Sequence, residues 1–156
     1  MTSIPEMVAL FNGFGGLATF FIAWSEFNAI PDNVFQFIVI MLTTYIGGVT
    51  FSGSIIAYGK LSEKLKVKKD SFVTKIFTTF FYASILFLVY SIGFTEIIEL
   101  PINFYTVLLI LTLLGGIGFV IPIGGGDMPV VISLLNSFSG IALSLIHISE
   151  PTRQIR

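Results

Sequence analysis

VFQFIVIMLTTYIGGVTFSGSIIAY, residues 34–58, contains no charged side chain. A helix that crosses a bilayer needs about 20 predominantly apolar residues, and this run is long enough. The rest of the chain argues that it is lipid-embedded rather than the core helix of a soluble domain. The 156 residues are 54% apolar and only 11% charged, with 17 phenylalanines. A soluble domain usually carries about 25% charged residues. So much apolar surface suits a bundle of helices that faces lipid.

Four further apolar runs flank this one, at about Met7–Trp24, Phe72–Gly93, Phe104–Ile123 and Pro129–Leu143. The first four runs of the chain qualify as spans by length, and the fifth is short. Short polar connections separate them: SEFNAIPDN (25–33), GKLSEKLKVKKDS (59–71), TEIIELPIN (95–103) and GGGDMP (124–129). Connections this short make consecutive helices antiparallel neighbours. The expected fold is an all-α membrane protein, an antiparallel bundle of about five transmembrane helices.

Charge orients the bundle. Of the eight Lys+Arg, Lys60, Lys64, Lys66, Lys68, Lys69 and Lys75 lie in or beside the 59–71 loop, and Arg153 and Arg156 lie in the tail. The connections at 25–33 and 95–103 have no basic residue. The positive-inside rule puts the lysine loop on the cytoplasmic side, or the matrix side in a mitochondrion. Counting crossings puts Asp127 on the same side. The expected location is a bacterial inner membrane. A solvated loop accounts for the lysines equally well. The chain has no cysteine, which excludes disulfides and thiolate metal sites, and no secretory signal peptide is evident.

Small and polar residues recur inside the runs. Ala9, Gly13 and Gly16 share one side of the first. Thr43, Gly47, Thr50 and Ser54 recur at helical spacing in the second. Such faces let helix backbones approach closely in lipid. Asn12 lies about two turns inside the first run, where its amide needs a partner from the bundle. An interhelical hydrogen bond and a place on a polar path are both open readings. Ser133, Asn136 and Gly140 share one helical face in the fifth run, with Ser137 beside them. Two amides and several hydroxyls could hold water or relay a proton. Asp127 follows three glycines and precedes Met-Pro, a good helix N-cap. The glycines permit positive φ or close approach of another backbone, and they make a hinge. An acid on such a hinge could instead accept protons or dock a domain. The glycine run is no dinucleotide fingerprint, because no strand–turn–helix unit surrounds it.

IGGGDMPVVISLLNSFSGIA (123–142) closely resembles the hinge and following helix of the β subunit of proton-translocating NAD(P) transhydrogenase. IPEMVALFNGFGGLAT (4–19) and GGVTFSGSIIAYGKL (47–61) also resemble stretches of that family, in the same order. The resemblance covers roughly residues 1–144 and implies a membrane proton-channel domain fragment. The family couples hydride transfer from NADH to NADP+ to inward proton movement. The implied enzyme is a proton-translocating transhydrogenase that uses NAD and NADP and embeds in the lipid bilayer. Its implied partners are an α subunit and a second copy in a homodimeric assembly.

By position, Asp127 would link proton conduction to the NADP(H)-binding domain. Asn12 matches a position where some members carry a histidine of the proton path. Asparagine does not titrate near neutral pH, so a water-ordering role fits better. Asn136 and Ser133 are further implied proton-path residues. The family continues with more helices and an NADP(H)-binding domain, neither present in this sequence, so this segment is not expected to bind nucleotide or to catalyse alone. LIHISEPTRQIR (145–156) departs from the family pattern. It is similar to translated sequencing-adapter DNA and is expected to be a foreign tail, with His147 carrying no function. The alternatives are a fragment of a secondary transporter or channel, or a purely structural membrane subunit.

Overall fold

The structure is a computed structural model, and it describes residues 4–28, 31, 33–66, 71–93 and 102–149. It contains five long helices: α1 (Ile4–Asn28), α2 (Val34–Leu61), α3 (Phe72–Gly93), α4 (Ile102–Val120) and α5 (Met128–Ser149). A single 3-10 turn, Gly125–Asp127, precedes α5. The protein is an all-α integral membrane bundle. Asp32, Lys68, Lys69, the 95–101 part of the acidic connection and the tail from Glu150 lie outside the described residues.

Helix register gives the directions. Along α1, Asn12, Gly16 and Phe20 meet Ser54, Thr50 and Gly47 of α2 in descending order, so the pair is antiparallel. Along α4, Tyr105, Thr112 and Gly116 meet Thr44, Gly48 and Ser52 in ascending order, so α2 and α4 run parallel. Leu135, Ser139 and Ala142 of α5 meet Gly53, Thr50 and Thr43, again antiparallel. On α3, Phe77 meets Gly118 and Ser84 meets Gly115 of α4, which is antiparallel too. The expected up-and-down arrangement is therefore present.

Helix α2 is the hub. It packs against all four other helices, and 61% of its most apolar window is buried, against 17% for α3. Its small residues make this possible. A methyl group at Gly47 would sit 2.7 Å from the Phe20 nitrogen, and one at Gly16 would sit 2.7 Å from the Phe51 nitrogen. Between helices in lipid there is little hydrophobic gain, so such backbone proximity supplies the packing. Outward faces carry the residues that lipid tolerates: Phe11, Phe14, Phe21, Leu86, Val89 and Ile141 are all exposed.

Two lengths differ from expectation. By length and composition the four candidate spans are α1, α2, α3 and the segment Gly125–Ser149, while α4 is the shorter apolar helix. Helix α4 stops at Val120 because Pro122 disfavours helical backbone at Ile121 and cannot donate a helix hydrogen bond. Its 19 residues still rise about 28 Å, close to the hydrocarbon thickness of about 30 Å. Helix α5 extends past Leu143 to Ser149, and Ile146 is buried with Ala23 and Val39. The charges and proline that break the apolar pattern begin only at Glu150.

Candidate functional site

A polar seam runs where α1 and α5 meet α2. Asn12 is 8% exposed, and its amide donates a 2.8 Å hydrogen bond to the Ser54 hydroxyl. Next along α2, Ser139 of α5 donates to the Thr50 hydroxyl at 3.2 Å. Beyond it, Thr43 donates to the Ala142 carbonyl at 3.5 Å. Ser54, Thr50 and Thr43 lie on one face of α2, as i, i+3 and i+4 spacings require. From Thr43 to Ser54 the seam climbs about 16 Å, half the hydrocarbon core. Each bond satisfies a group that would otherwise be stranded in a medium without water. Among the described residues no buried side-chain polar atom lacks a partner.

Beside the seam, α1 and α5 diverge into an open groove of about 790 Å³. Its polar lining is Asn12, Thr19, Ser133, Asn136 and Ser139, with Gly15 and Gly140 giving width. The groove thus brings together three of the four candidate residues, Asn12, Ser133 and Asn136. Ser133 and Asn136 are exposed in this chain, whereas Asn12 is buried at the groove floor. Ser137 does not join them; its hydroxyl folds back onto the Ser133 carbonyl at 2.9 Å.

Asp127 stands apart, at the end of the bundle where α2 and α4 finish and α5 begins. It is exposed, and its backbone N–H donates to the Gly124 carbonyl at 3.2 Å. Among the described residues its carboxylate has no hydrogen-bond or ion-pair partner. It occupies the residue before α5, the N-cap position, with Pro129 in the first turn. Pro129 also lines the groove, so the acid sits one turn from the groove's mouth.

The three glycines do not adopt positive φ; among the described residues Glu63 alone has it, at 55°. Nor does close packing demand them. A methyl group at Gly126 would meet nothing within 4 Å, and the nearest atoms at Gly124 and Gly125 lie at 3.8 and 3.9 Å. The expectation of left-handed backbone or close approach is not met in this conformation. The turn is an ordinary 3-10 turn that other residues could form.

Sequence reasoning missed two features. One is Ser54 as the partner of Asn12, a pairing across 42 residues of chain. The other is Lys60, which reads as a loop lysine and instead lies in the last turn of α2. Its ammonium donates to the carbonyls of Val120, Ile121 and Ile123, at 3.1, 2.5 and 2.6 Å. Those carbonyls terminate α4 and would otherwise be orphaned. His147, at the far end of α5, bonds the Leu143 carbonyl at 2.8 Å.

Comparison with known proteins gives a consistent result. The family model described as NAD(P) transhydrogenase beta subunit matches residues 1–148. The NAD(P) transhydrogenase subunit beta of Rhodospirillum rubrum is 34% identical over 152 residues, which cover 91% of this chain and 32% of that protein. The same subunit from a defined strain of that species matches with the same figures. The chain therefore spans about a third of the length of these relatives.

Proposed function

The chain belongs to the NAD(P) transhydrogenase beta-subunit family, and from that premise we propose that its bundle conducts the protons that drive hydride transfer from NADH to NADP+. The observation that carries this reading is the continuity of the polar seam with a groove whose mouth lies one turn from Asp127. Soluble side chains are not needed for such a path. Water held between amides and hydroxyls can pass a proton, and a single carboxylate at the mouth can take it up or release it.

The roles follow from chemistry. Asp127 is the exchanging acid, since it is the titratable group on the hinge. Asn12 and Asn136 cannot titrate near neutral pH; each offers both donors and an acceptor and so orders water. Ser133, one turn before Asn136 on the same wall, extends that line toward Asp127. The end that holds Asp127 and the lysines of the 59–71 connection faces the cytoplasm, and protons move toward it.

The described residues do not fit a nucleotide. The glycine run follows a helix rather than a strand, and an acid at the start of α5 would repel a pyrophosphate. NAD and NADP are held elsewhere in the complete enzyme, which this segment forms with an α subunit in a homodimeric assembly in a bacterial inner membrane. Residues 1–144 are the proton-channel segment, and 145–156 are a foreign tail.

The test is Asp127→Asn in the complete enzyme in membrane vesicles, with proton uptake and hydride transfer followed together. Loss of proton-coupled turnover by about a hundredfold or more, with the protein still inserted and assembled, is the expected result. Wild-type coupling in the variant refutes the role.

A further inference from the structure

The segment around Asp127 is slung between two fixed posts. One is Ile123, whose carbonyl is held by Lys60 together with those of Val120 and Ile121. The other is Met128, fully buried in the core cluster that includes Ala57, Val120 and Leu135. Between them lie Gly124, Gly125, Gly126 and Asp127, all exposed. None of the three glycines is required by backbone angle or by crowding. The hinge is therefore free in itself, and its length is set by where the posts stand.

The Lys60 post is built with some economy. An ammonium has three donors and no acceptor, and here three carbonyls are bonded to it. Its charge sits on the negative end of the α4 dipole, where a cation is favoured. The alkyl stem belongs to the last turn of α2, the most buried helix, so the clamp ties the end of α4 to the hub of the bundle. The Pro122 break makes this clamp necessary, because beyond Val120 the helix no longer supplies donors for these carbonyls.

We propose that Lys60 is a positioning residue for Asp127: by clamping the α4 terminus it fixes the near end of the glycine hinge and so the place of the acid at the groove mouth. Without the clamp, Ile121, Pro122 and Ile123 join the free segment and Asp127 wanders from the path. The consequence for coupling rests on the proton-path reading above. The effect on the hinge does not, which keeps the two separable.

The experiment uses the complete enzyme in lipid vesicles, with Lys60→Met and Lys60→Arg compared. This segment has no native cysteine, so in an otherwise cysteine-free background Gly126→Cys can carry a nitroxide, as can Leu86→Cys on the exposed face of α3 in a separate protein. Lys60→Met is expected to raise label mobility at 126 and leave it unchanged at 86. It is also expected to lower proton-coupled turnover by about tenfold to a hundredfold, as misplacement of a reacting group by about 1 Å can. Lys60→Arg, which keeps charge and donors, should restore most of both. Unchanged mobility at 126, or an equal rise at 86 and 126, overturns the clamp. A mobile hinge with wild-type coupling overturns the positioning role. An unaffected Asp127→Asn enzyme alongside a mobile hinge instead overturns the proton-path reading and leaves the clamp standing.

Discussion

On the side of α2 that faces α1 and α5, polar side chains bond across helices. Asn12 reaches Ser54, Ser139 reaches Thr50, and Thr43 reaches the Ala142 carbonyl. On the side that faces α3 and α4, the same residue types mostly fold back. Ser52 bonds the Gly48 carbonyl, Thr112 the Leu109 carbonyl and Ser84 the Phe81 carbonyl, each within its own helix. The crossings on that side come from tyrosines: Tyr105 with Thr44, and Tyr45 with Ser84. Tyr105 is further wedged against Trp24 and Phe27, with ring centroids at 5.3 and 4.1 Å.

A hydroxyl bonded to its own helix is satisfied locally and serves as a small packing unit. A hydroxyl or amide bonded to a neighbouring helix beside an open groove can trade that partner for water. Composition is therefore shared by the two sides, and geometry separates them. The groove of about 790 Å³ lies only on the first side. The cavity lined by Tyr45, Ile46, Phe81 and Phe119 is about 160 Å³ and apolar.

The largest expected effect would break the packing common to both sides. Gly16→Leu places a side chain against the Phe51 nitrogen and Thr50, 2.7 and 2.8 Å from its first carbon. Overpacking of this kind should cost about 3 kcal/mol and be read as a large drop in Tm or failure to insert. A smaller and more selective effect is expected from Asn12→Leu. It removes the amide at the groove floor, so proton-coupled turnover should fall about tenfold while stability falls by only about 1 kcal/mol. Vesicle proton uptake and a thermal scan together would check this. Ser139→Ala should cost about 0.6 kcal/mol, the mean for such membrane hydrogen bonds, with a measurable loss of coupling. Ser52→Ala, on the other side, should change neither, because the Gly48 carbonyl keeps its backbone partner. Equal losses from Ser139→Ala and Ser52→Ala would erase the contrast between the sides.

Much of the fold was legible because lipid imposes simple rules. Uncharged runs of spanning length, short polar connections and small residues at helical spacing pointed to the five helices and to the α1–α2 contact through Gly13, Gly16, Thr50 and Ser54. The extent of α5 was less legible, since burial of Ile146 against Ala23 and Val39 depends on partners far away in sequence. The candidate site was visible in part. Asn12, Ser133 and Asn136 stood out as amides and hydroxyls on helical faces, and they share one groove. That Asn12 would find Ser54 required knowing the register of two helices. Lys60 was hidden for another reason. In sequence it is one lysine among several, and only the turn at Pro122 shows three carbonyls that need it.

The most direct test of the seam is substituted-cysteine reactivity along α5 in the complete enzyme, using a small charged thiol reagent in membrane vesicles. If the α1–α5 groove is a hydrated path, cysteines at Ser133 and Asn136 will react readily, while those at Leu134 and Ile141, exposed but not lining the groove, will not. Equal reactivity around the helix, or silence at 133 and 136, would contradict the account.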